Sequence, residues 1–265
     1  MENWWERVLH PQKIKHCSMK KICIIGVGIM GRAMLDILSA KKLYNVVGCD
    51  AEDDPNVVAR DADVVIFAVK PQSFKQLSES IKIDLRDKLI ISIMAGISVE
   101  KIRSFLNTEK VVRTMPNLAI KVGQSMTLWV AGGAMSDEDK SLVVEILGMF
   151  GVGIEVDDES KIGIMTSING SGPAYFAYMG EKMADFCVKN GFPPEQSAII
   201  ARQTLIGTGE VVKESGWSLT ELRERVSSKG GTTEKAINTL EENNFGDVFQ
   251  KGIEAAVTRT KELNQ

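Results

Sequence analysis

The strongest constraint on the fold is an apolar run that passes directly into a glycine-rich turn. Lys21–Val27 (KICIIGV) predicts a strand buried on both faces of a parallel sheet. Gly26, Gly28 and Gly31 follow, and helical spacing continues over Ala33–Leu43. In such a turn the first glycine allows the sharp bend, the second lets a pyrophosphate approach, and the third packs helix on strand. The pattern predicts dinucleotide binding at a helix N-terminus, with a glycine turn that holds no ligand as the alternative.

Further apolar runs separated by helical stretches predict an α/β fold with a doubly wound parallel sheet. The strands expected are Tyr44–Asp50, Ala62–Val69, Leu89–Met94 and Val111–Met115, with edge strands at Ser125–Val130 and Val152–Val156 around a helix capped near Ser136. From about Asp158 the pattern is helical only. The helices expected there are Pro173–Lys189, Pro194–Lys213, a short helix after the capping box Ser218–Glu221, Thr233–Glu242 and Asp247–Leu263.

The pattern divides the chain into three parts. Residues 1–20 are expected to be a flexible extension, 21–158 a dinucleotide-binding domain, and 159–265 an all-helical domain. The apolar content of the helical part is too broad for the surface of a monomer, so we expect it to form a homodimer.

Composition excludes several functions. Lys+Arg total 32 against 35 Asp+Glu, a net charge of -3 that gives no reason to expect nucleic acid as a partner. No apolar run reaches the roughly 18 residues of a membrane span. Cys17, Cys23, Cys49 and Cys187 have no metal-ligand spacing and indicate reduced thiols of a cytoplasmic protein. His10 and His16 are the only histidines, so neither a metal site nor a His-based triad is expected.

Acidic residues follow the second strand. Asp50 lies about 20 residues beyond the glycine turn, where a carboxylate ordinarily binds the ribose 2′-hydroxyl of NAD. Glu52, Asp53 and Asp54 come next and would repel a 2′-phosphate. The sequence therefore favours NADH over NADPH, with a solvated acidic loop as the alternative.

A second glycine pair lies late in the chain. In Val226–Glu234 (VSSKGGTTE), two glycines and two threonines precede a helix, and successive backbone N–H groups there can bind a small carboxylate. Ser228 and Thr233 can add hydroxyl hydrogen bonds. The alternative is an ordinary helix cap by Thr232 beside a glycine hinge.

Several motifs together resemble those of the pyrroline-5-carboxylate reductase family. Besides the glycine turn they are Ala68–Gln72 (AVKPQ), Ser92–Gly96 (SIMAG), Arg113–Asn117 (RTMPN) with Val122–Gly123, Gly170–Tyr175 (GSGPAY) and Ser228–Thr233 (SKGGTT). Each motif alone is common, but the series in this order, from Lys21 to the C-terminus, is highly specific.

The resemblance implies a Rossmann domain joined to a helical dimerisation domain, with the homodimer sometimes part of a larger homo-oligomer such as a decamer. It implies NADH or NADPH as cofactor, 1-pyrroline-5-carboxylate as substrate and L-proline as product. The cofactor-binding residues implied are Gly26, Val27, Gly28, Ile29, Met30, Gly31, Ala68, Val69, Lys70, Pro71, Met94, Ala95 and Gly96, to which Asp50 is added. Substrate binding is assigned to Gly230, Gly231, Thr232 and Asn117, and catalysis to Thr233 and Ser228, with Thr233 near the ring nitrogen.

This chain departs from the family pattern at three places. Lys229 stands where the family usually has proline, and Asn169 where it usually has serine. Only Ala51–Asp61 separates the second strand from the next, where a full Rossmann half would place a helix and a third strand. The sheet is therefore expected to be shortened after strand 2, and Asn56 is a weak candidate for the family's ribose-contacting asparagine.

Hydride addition to a C=N bond needs an electrophilic carbon, which protonation of the imine supplies. With no histidine available in the helical part, we hypothesise that orientation dominates catalysis and that Thr233 donates a hydrogen bond near the nitrogen. Two other functions stay open at this point. One is a hydroxy-acid dehydrogenase using Lys182 or Lys189, and the other is a non-catalytic dinucleotide-binding regulatory protein.

Overall fold

The computed structural model describes residues 19–263. Apart from Met19 and Lys20, the predicted N-terminal extension, with both histidines and Cys17, lies outside them. None of the helices in the described range is both long and apolar enough to cross a membrane.

Within residues 19–263, seven strands form one sheet in the order β2-β1-β3-β4-β5-β6-β7. The strands are β1 (Lys21–Ile25), β2 (Asn45–Cys49), β3 (Val64–Phe67), β4 (Leu89–Ser92), β5 (Val111–Met115), β6 (Ser125–Gly132) and β7 (Gly151–Glu155). Neighbouring strands are parallel except for the antiparallel pair β5 and β6. The predicted α/β class with a mostly parallel, Rossmann-like sheet is confirmed.

Helices connect the strands and then continue alone to the end of the described chain. They are α1 (Ile29–Lys41), α2 (Pro55–Val58), α3 (Pro71–Ser80), α4 (Val99–Leu106), α5 (Asp137–Phe150), α6 (Glu159–Met165), α7 (Gly172–Lys189), α8 (Pro194–Ser215), α9 (Leu219–Val226), α10 (Thr232–Glu242) and α11 (Phe245–Leu263). A 3-10 helix spans Leu118–Val122, and a π-helical turn spans Thr166–Gly170.

The two faces of the sheet have separate cores because side chains along a strand alternate between faces. Ile22 and Ile24 of β1 pack in the core beneath α1 and α5, whereas Cys23 and Ile25 pack in the core beneath α3 and α4. All four side chains are buried. This burial on both faces explains why β1 is continuously apolar rather than alternating.

The sheet is shortened beside β2, as the sequence predicts. A single helical turn, α2, replaces the expected helix and third strand, and the next strand, β3, pairs directly with β1. The β2 strand is therefore an edge of the sheet. Asn56 binds the Ser80 carbonyl oxygen and accepts from the Lys82 amide, so its side chain ties α2 to the end of α3.

The β6 strand, expected at an edge of the sheet, lies between β5 and β7, so only β7 is an edge strand on that side. Several predicted boundaries differ from those in the structure, and two of the differences bear on the candidate sites. α1 begins at Ile29 rather than Ala33, because the glycine turn ends at Gly28 and the backbone becomes helical at once. α10 begins one residue early, at Thr232, and its N-cap is Gly231 rather than Thr232. No side chain caps α10, so the ordinary Thr232 cap that composition would favour is not formed.

The chain forms two compact units. One runs to Ser171 and takes in the chain from Val257 onward, and the other is Gly172–Ala256. The second unit is entirely helical, and few of its side chains are buried. Large apolar side chains along α7 are exposed in the single chain, among them Phe176, Met183 and Phe186. An apolar surface of this extent is typical of a subunit interface.

A buried ion pair joins β5 to the start of α6. The Arg113 guanidinium group lies 2.6 Å from the Glu159 carboxylate, and the same carboxylate oxygen accepts from the Val99 amide at 2.9 Å. The Arg113 side chain is only 9% exposed and that of Glu159 is 30% exposed. Removing one partner of such a pair leaves a buried charge without compensation, which costs more than the pair itself contributes.

We expect Glu159→Ala to lower the free energy of unfolding by about 2 kcal/mol, less than for a fully buried pair because Glu159 is partly exposed. The matched control is Glu155→Ala, which removes the exposed Lys140–Glu155 pair and should change stability by about 0.5 kcal/mol or less. Urea unfolding measures both. Equal losses for the two variants would contradict a special role for the Arg113 pair.

Candidate functional site

The glycine turn lies at the carboxyl edge of the sheet. Ile25 is in register with Cys49 on one side and with Phe67 on the other, and Phe67 is in register with Ser92. The segments that follow these residues therefore leave the sheet side by side. Parallel sheets bind ligands at this edge, where helix N-termini point outward.

The three glycines have different steric surroundings. Gly26 has φ +97°, and a Cβ there would come within 2.8 Å of the Ala68 backbone. A Cβ on Gly31 would lie 2.0 Å from the Gly26 carbonyl oxygen, whereas a Cβ on Gly28 would meet no atom of the described chain within 4 Å apart from its neighbours in sequence. The tight turn therefore requires glycine at position 26, and the close contact between α1 and that turn requires glycine at position 31. The space above Gly28 is open for a group that approaches the backbone.

A cleft of about 570 Å³ opens at this edge. The predicted cofactor-binding residues that line it are Gly26, Val27, Gly28, Asp50, Ala68, Val69 and Lys70. Its size falls within the range of about 300–1,000 Å³ typical of small-molecule sites. Two helices start at the cleft, α1 after Gly28 and α3 after Lys70, and neither has a side-chain cap.

The other predicted cofactor-binding residues do not line this cleft. Gly31 lies inside α1 against Gly26, and Ile29 and Met30 belong to the same first turn. Pro71 is the first residue of α3. Met94, Ala95 and Gly96 follow β4 at the same edge of the sheet, with the Met94 side chain buried and Ala95 exposed.

The cleft is acidic on the side of β2. Asp53 accepts from the Asp50 amide at 2.8 Å, and both residues line the cleft. Burial raises the pKa of the Cys49 thiol to about 11, and negative charge on Asp53 and its neighbours adds to the shift. Of the described residues that line the cleft, Lys70 alone is basic. The environment therefore disfavours additional negative charge near β2.

Sequence reasoning missed three polar residues of α3 that line the cleft, namely Ser73, Gln76 and Ser80. Ser73 and Gln76 are three residues apart on that helix. Spacing i, i+3 from a helix that starts at Pro71 places them on one face, which is the signal that could have found them.

The predicted substrate loop lies in the helical unit, between α9 and α10. Gly230 has φ +74°, a conformation that favours glycine, and Gly231 is the N-cap of α10. The Gly231 amide donates to the Ser228 carbonyl oxygen at 2.9 Å, and the Gly230 amide donates to the Glu234 carboxylate at 2.7 Å. Within the described chain, the Thr232 and Thr233 amides have no hydrogen-bond partner, as at any uncapped helix start.

Asn117 has structural partners. Its Oδ1 accepts from the Ala119 amide, and its Nδ2 donates to the Asn169 Oδ1 at 3.0 Å. Asn169 is buried, and its own Nδ2 donates to the carbonyl oxygens of Met115 and Met126. Asn169 therefore joins β5, β6 and the Asn117 turn. The site role predicted for Asn117 stays a prediction.

Comparison with known proteins gives consistent matches. Residues 159–263 match the family described as "Pyrroline-5-carboxylate reductase dimerisation", and residues 47–96 match "NADP oxidoreductase coenzyme F420-dependent". A pyrroline-5-carboxylate reductase of Vibrio alginolyticus is 33% identical over 93% of this chain and 98% of its own length. One from Pisum sativum is 33% identical over 85% of this chain and 83% of its own length.

Solved structures agree with these matches. A pyrroline-5-carboxylate reductase from Coxiella burnetii superposes with a TM-score of 0.84 at 29% identity, over 94% of this chain and 100% of that one. A Plasmodium falciparum pyrroline carboxylate reductase, solved with NADP bound, has a TM-score of 0.80 at 28% identity and the same two coverages.

Gly28→Ala and Gly31→Ala are expected to separate ligand binding from folding. Gly28→Ala should cost at most about 1 kcal/mol of stability, the loss of a glycine N-cap, but weaken dinucleotide binding about tenfold or more by filling the open space. Gly31→Ala should cost about 2 kcal/mol or more because its methyl group clashes with backbone.

Urea unfolding and fluorescence titration with the dinucleotide measure the two effects. Unchanged affinity in Gly28→Ala, or equal stability losses in the two variants, would show that the three glycines do not divide these roles.

Proposed function

The chain belongs to the pyrroline-5-carboxylate reductase family, and from that membership we propose that it reduces 1-pyrroline-5-carboxylate to L-proline. It is an NAD(P)-dependent oxidoreductase. The observation that carries this function is the full-length match: the chain covers 98% of the Vibrio alginolyticus reductase at 33% identity. Neither the hydroxy-acid dehydrogenase nor the regulatory protein is favoured, because relatives with this coverage are pyrroline-5-carboxylate reductases.

The residues around the glycine turn fit a dinucleotide. The pyrophosphate would lie over Gly28, where the backbone is open and α1 begins without a side-chain cap. Val27, Ala68 and Val69 would contact the cofactor from the cleft, and Met94–Gly96 would contact it from the end of β4. When bound, the reduced cofactor supplies the hydride.

The loop before α10 is proposed to hold the carboxylate of the imine. The Thr232 and Thr233 amides are free of protein partners in the described chain, and they point from the positive end of an 11-residue helix. Gly230 and Gly231 give the loop its shape, since their own amides are engaged by Glu234 and Ser228. The Thr233 and Ser228 hydroxyl groups would donate near the ring nitrogen.

Catalysis by this chain is proposed to rest on orientation. Both histidines lie outside the described residues, and Lys182 is an exposed side chain paired with Asp185 at 2.8 Å. That carboxylate raises the pKa of Lys182 above its ordinary value, which makes Lys182 a poor base at neutral pH. A positioned carboxylate and a hydroxyl donor at the nitrogen can still favour the productive geometry.

We propose NADH as the preferred cofactor. Asp50 would accept from the ribose hydroxyl groups, and Asp50 and Asp53 together would repel a 2′-phosphate. The shortened segment after β2 also brings these acids to the cleft without a long connecting loop.

The helical part of the chain is a dimerisation domain, and the protein is a homo-oligomer. We propose a cytoplasmic homodimer as its basic form. A larger homo-oligomer such as a decamer stays a prediction.

Purified protein should favour NADH over NADPH by about tenfold or more in kcat/KM, the effect of roughly one unscreened carboxylate–phosphate repulsion. Asp50→Asn should reduce that ratio. The control is Asp61→Asn, which removes an exposed carboxylate that does not line the cleft. A wild-type preference for NADPH would contradict the proposed cofactor.

Cofactor oxidation that depends on 1-pyrroline-5-carboxylate tests the reaction itself, and its absence would contradict the proposed function. In this assay Thr233→Ala should lower kcat by about 10- to 100-fold if the hydroxyl group only orients or donates. Thr233→Val keeps the branched shape of the side chain but lacks the hydroxyl group, so its kcat should fall by the same factor. Unchanged rates in both variants would refute the role of the hydroxyl group.

A further inference from the structure

Glu234 makes an internal contact at the proposed substrate loop. Its Oε2 accepts from the Gly230 amide at 2.7 Å, four residues back along the chain. Glu234 is the third residue of α10, so this contact resembles a capping box, but it reaches one residue beyond the N-cap Gly231. A carboxylate at this end of a helix is also stabilised by the helix dipole.

Little else supports Gly230. It is exposed, its φ is +74°, and beyond its two chain neighbours no atom of the described residues lies within 4 Å of the position its Cβ would take. Two consecutive glycines leave a chain unusually free, so an unsupported Gly230–Gly231 pair would sample many conformations. Lys229, the residue before this pair, lacks the ring by which a proline would restrict the backbone.

The contact leaves the two remaining amides available. Glu234 occupies the Gly230 amide and Ser228 occupies the Gly231 amide, whereas the Thr232 and Thr233 amides have no partner in the described chain. Glu234 therefore does not take the N–H groups proposed for the substrate carboxylate. Its bond holds the residue that comes just before the N-cap.

We propose that Glu234 is a positioning residue that fixes the Gly230 backbone and so keeps the Thr232 and Thr233 amides preorganised for the carboxylate of the substrate. This inference rests on the proposed role of the loop in substrate binding. Preorganisation lowers the cost of ordering the loop when the ligand binds, so its loss appears in KM rather than in the chemical step.

If Glu234 hindered substrate binding, its removal would change KM for the imine in the opposite direction. If the Glu234 carboxylate competed with the substrate for the loop, or repelled it, removing that carboxylate would lower KM. Positioning predicts that removal raises KM. The sign of the change therefore decides between the two roles.

The experiment compares Glu234→Ala and Glu234→Gln in the full-length enzyme. Glu234→Ala should raise KM for 1-pyrroline-5-carboxylate about tenfold, the size expected for a lost hydrogen bond to a charged group, with kcat within about threefold. KM for the dinucleotide should not change. Glu234→Gln keeps an acceptor oxygen of the same reach and should restore most of the binding.

Glu221→Ala is the matched control. Glu221 accepts from the Ser218 amide at 2.8 Å in the capping box of α9, a contact of the same kind in the same unit but at a helix with no proposed ligand. It should lose similar stability in urea unfolding while KM for the imine stays within about twofold. If KM for the imine rose equally in Glu221→Ala, general destabilisation would explain the rise in Glu234→Ala, and the proposal would be overturned.

Gly231→Ala separates this inference from the proposed function. Its Cβ would come within 2.6 Å of the Ser228 hydroxyl oxygen and 2.9 Å of the Ser228 carbonyl oxygen, so it distorts the loop whatever Glu234 does. If Gly231→Ala raises KM for the imine and Glu234→Ala leaves it unchanged or lowers it, the loop binds substrate and the role of Glu234 is refuted. If neither variant changes KM while turnover continues, the proposed loop function fails as well.

Discussion

The proposed chemistry depends on backbone N–H groups in the first turn of a helix. These N–H groups donate no hydrogen bond to a side chain of the described residues. Every helix begins with such groups, and at five helices of the described chain a side chain binds them. The capping residues are Asp54, Ser98, Ser136, Asp158 and Ser218. No such cap is formed at the helices after Lys70 and Pro193, nor at those after Gly28 and Gly231. Glycine at these two positions leaves the amides open to an external anion, at a cost of stability that a bound phosphate or carboxylate offsets.

The sheet determines where one of these anion sites can form. Because β1, β3 and β4 are parallel and in register, the glycine turn and the segments after Phe67 and Ser92 emerge at one edge. Loss of the third strand leaves β2 exposed at the sheet edge and brings Asp50 and Asp53 to the same cleft. The short connection after β2 thus concentrates negative charge on this side of the cleft, which is the basis of the proposed preference for NADH.

Much of this architecture could be predicted from local sequence because buried parallel strands and glycine turns have strong local signals. β1 and the Ser218 capping box are two such cases. Contacts between distant residues could not be predicted in this way. The Asn117–Asn169 hydrogen bond joins residues that are 52 positions apart. The hydrogen bond from the Gly230 amide to the Glu234 carboxylate depends on the left-handed φ of Gly230. Such contacts depend on backbone geometry that periodicity does not encode.

The most direct test of the account is a crystal structure with NAD⁺ and L-proline, the product, bound together. The account predicts the pyrophosphate over the Gly28 backbone and the proline carboxylate within about 3 Å of the Thr232 and Thr233 amide nitrogens, the range of charge-assisted hydrogen bonds. A proline carboxylate held instead by lysine or arginine side chains, with both threonine amides bound only to water, would contradict it.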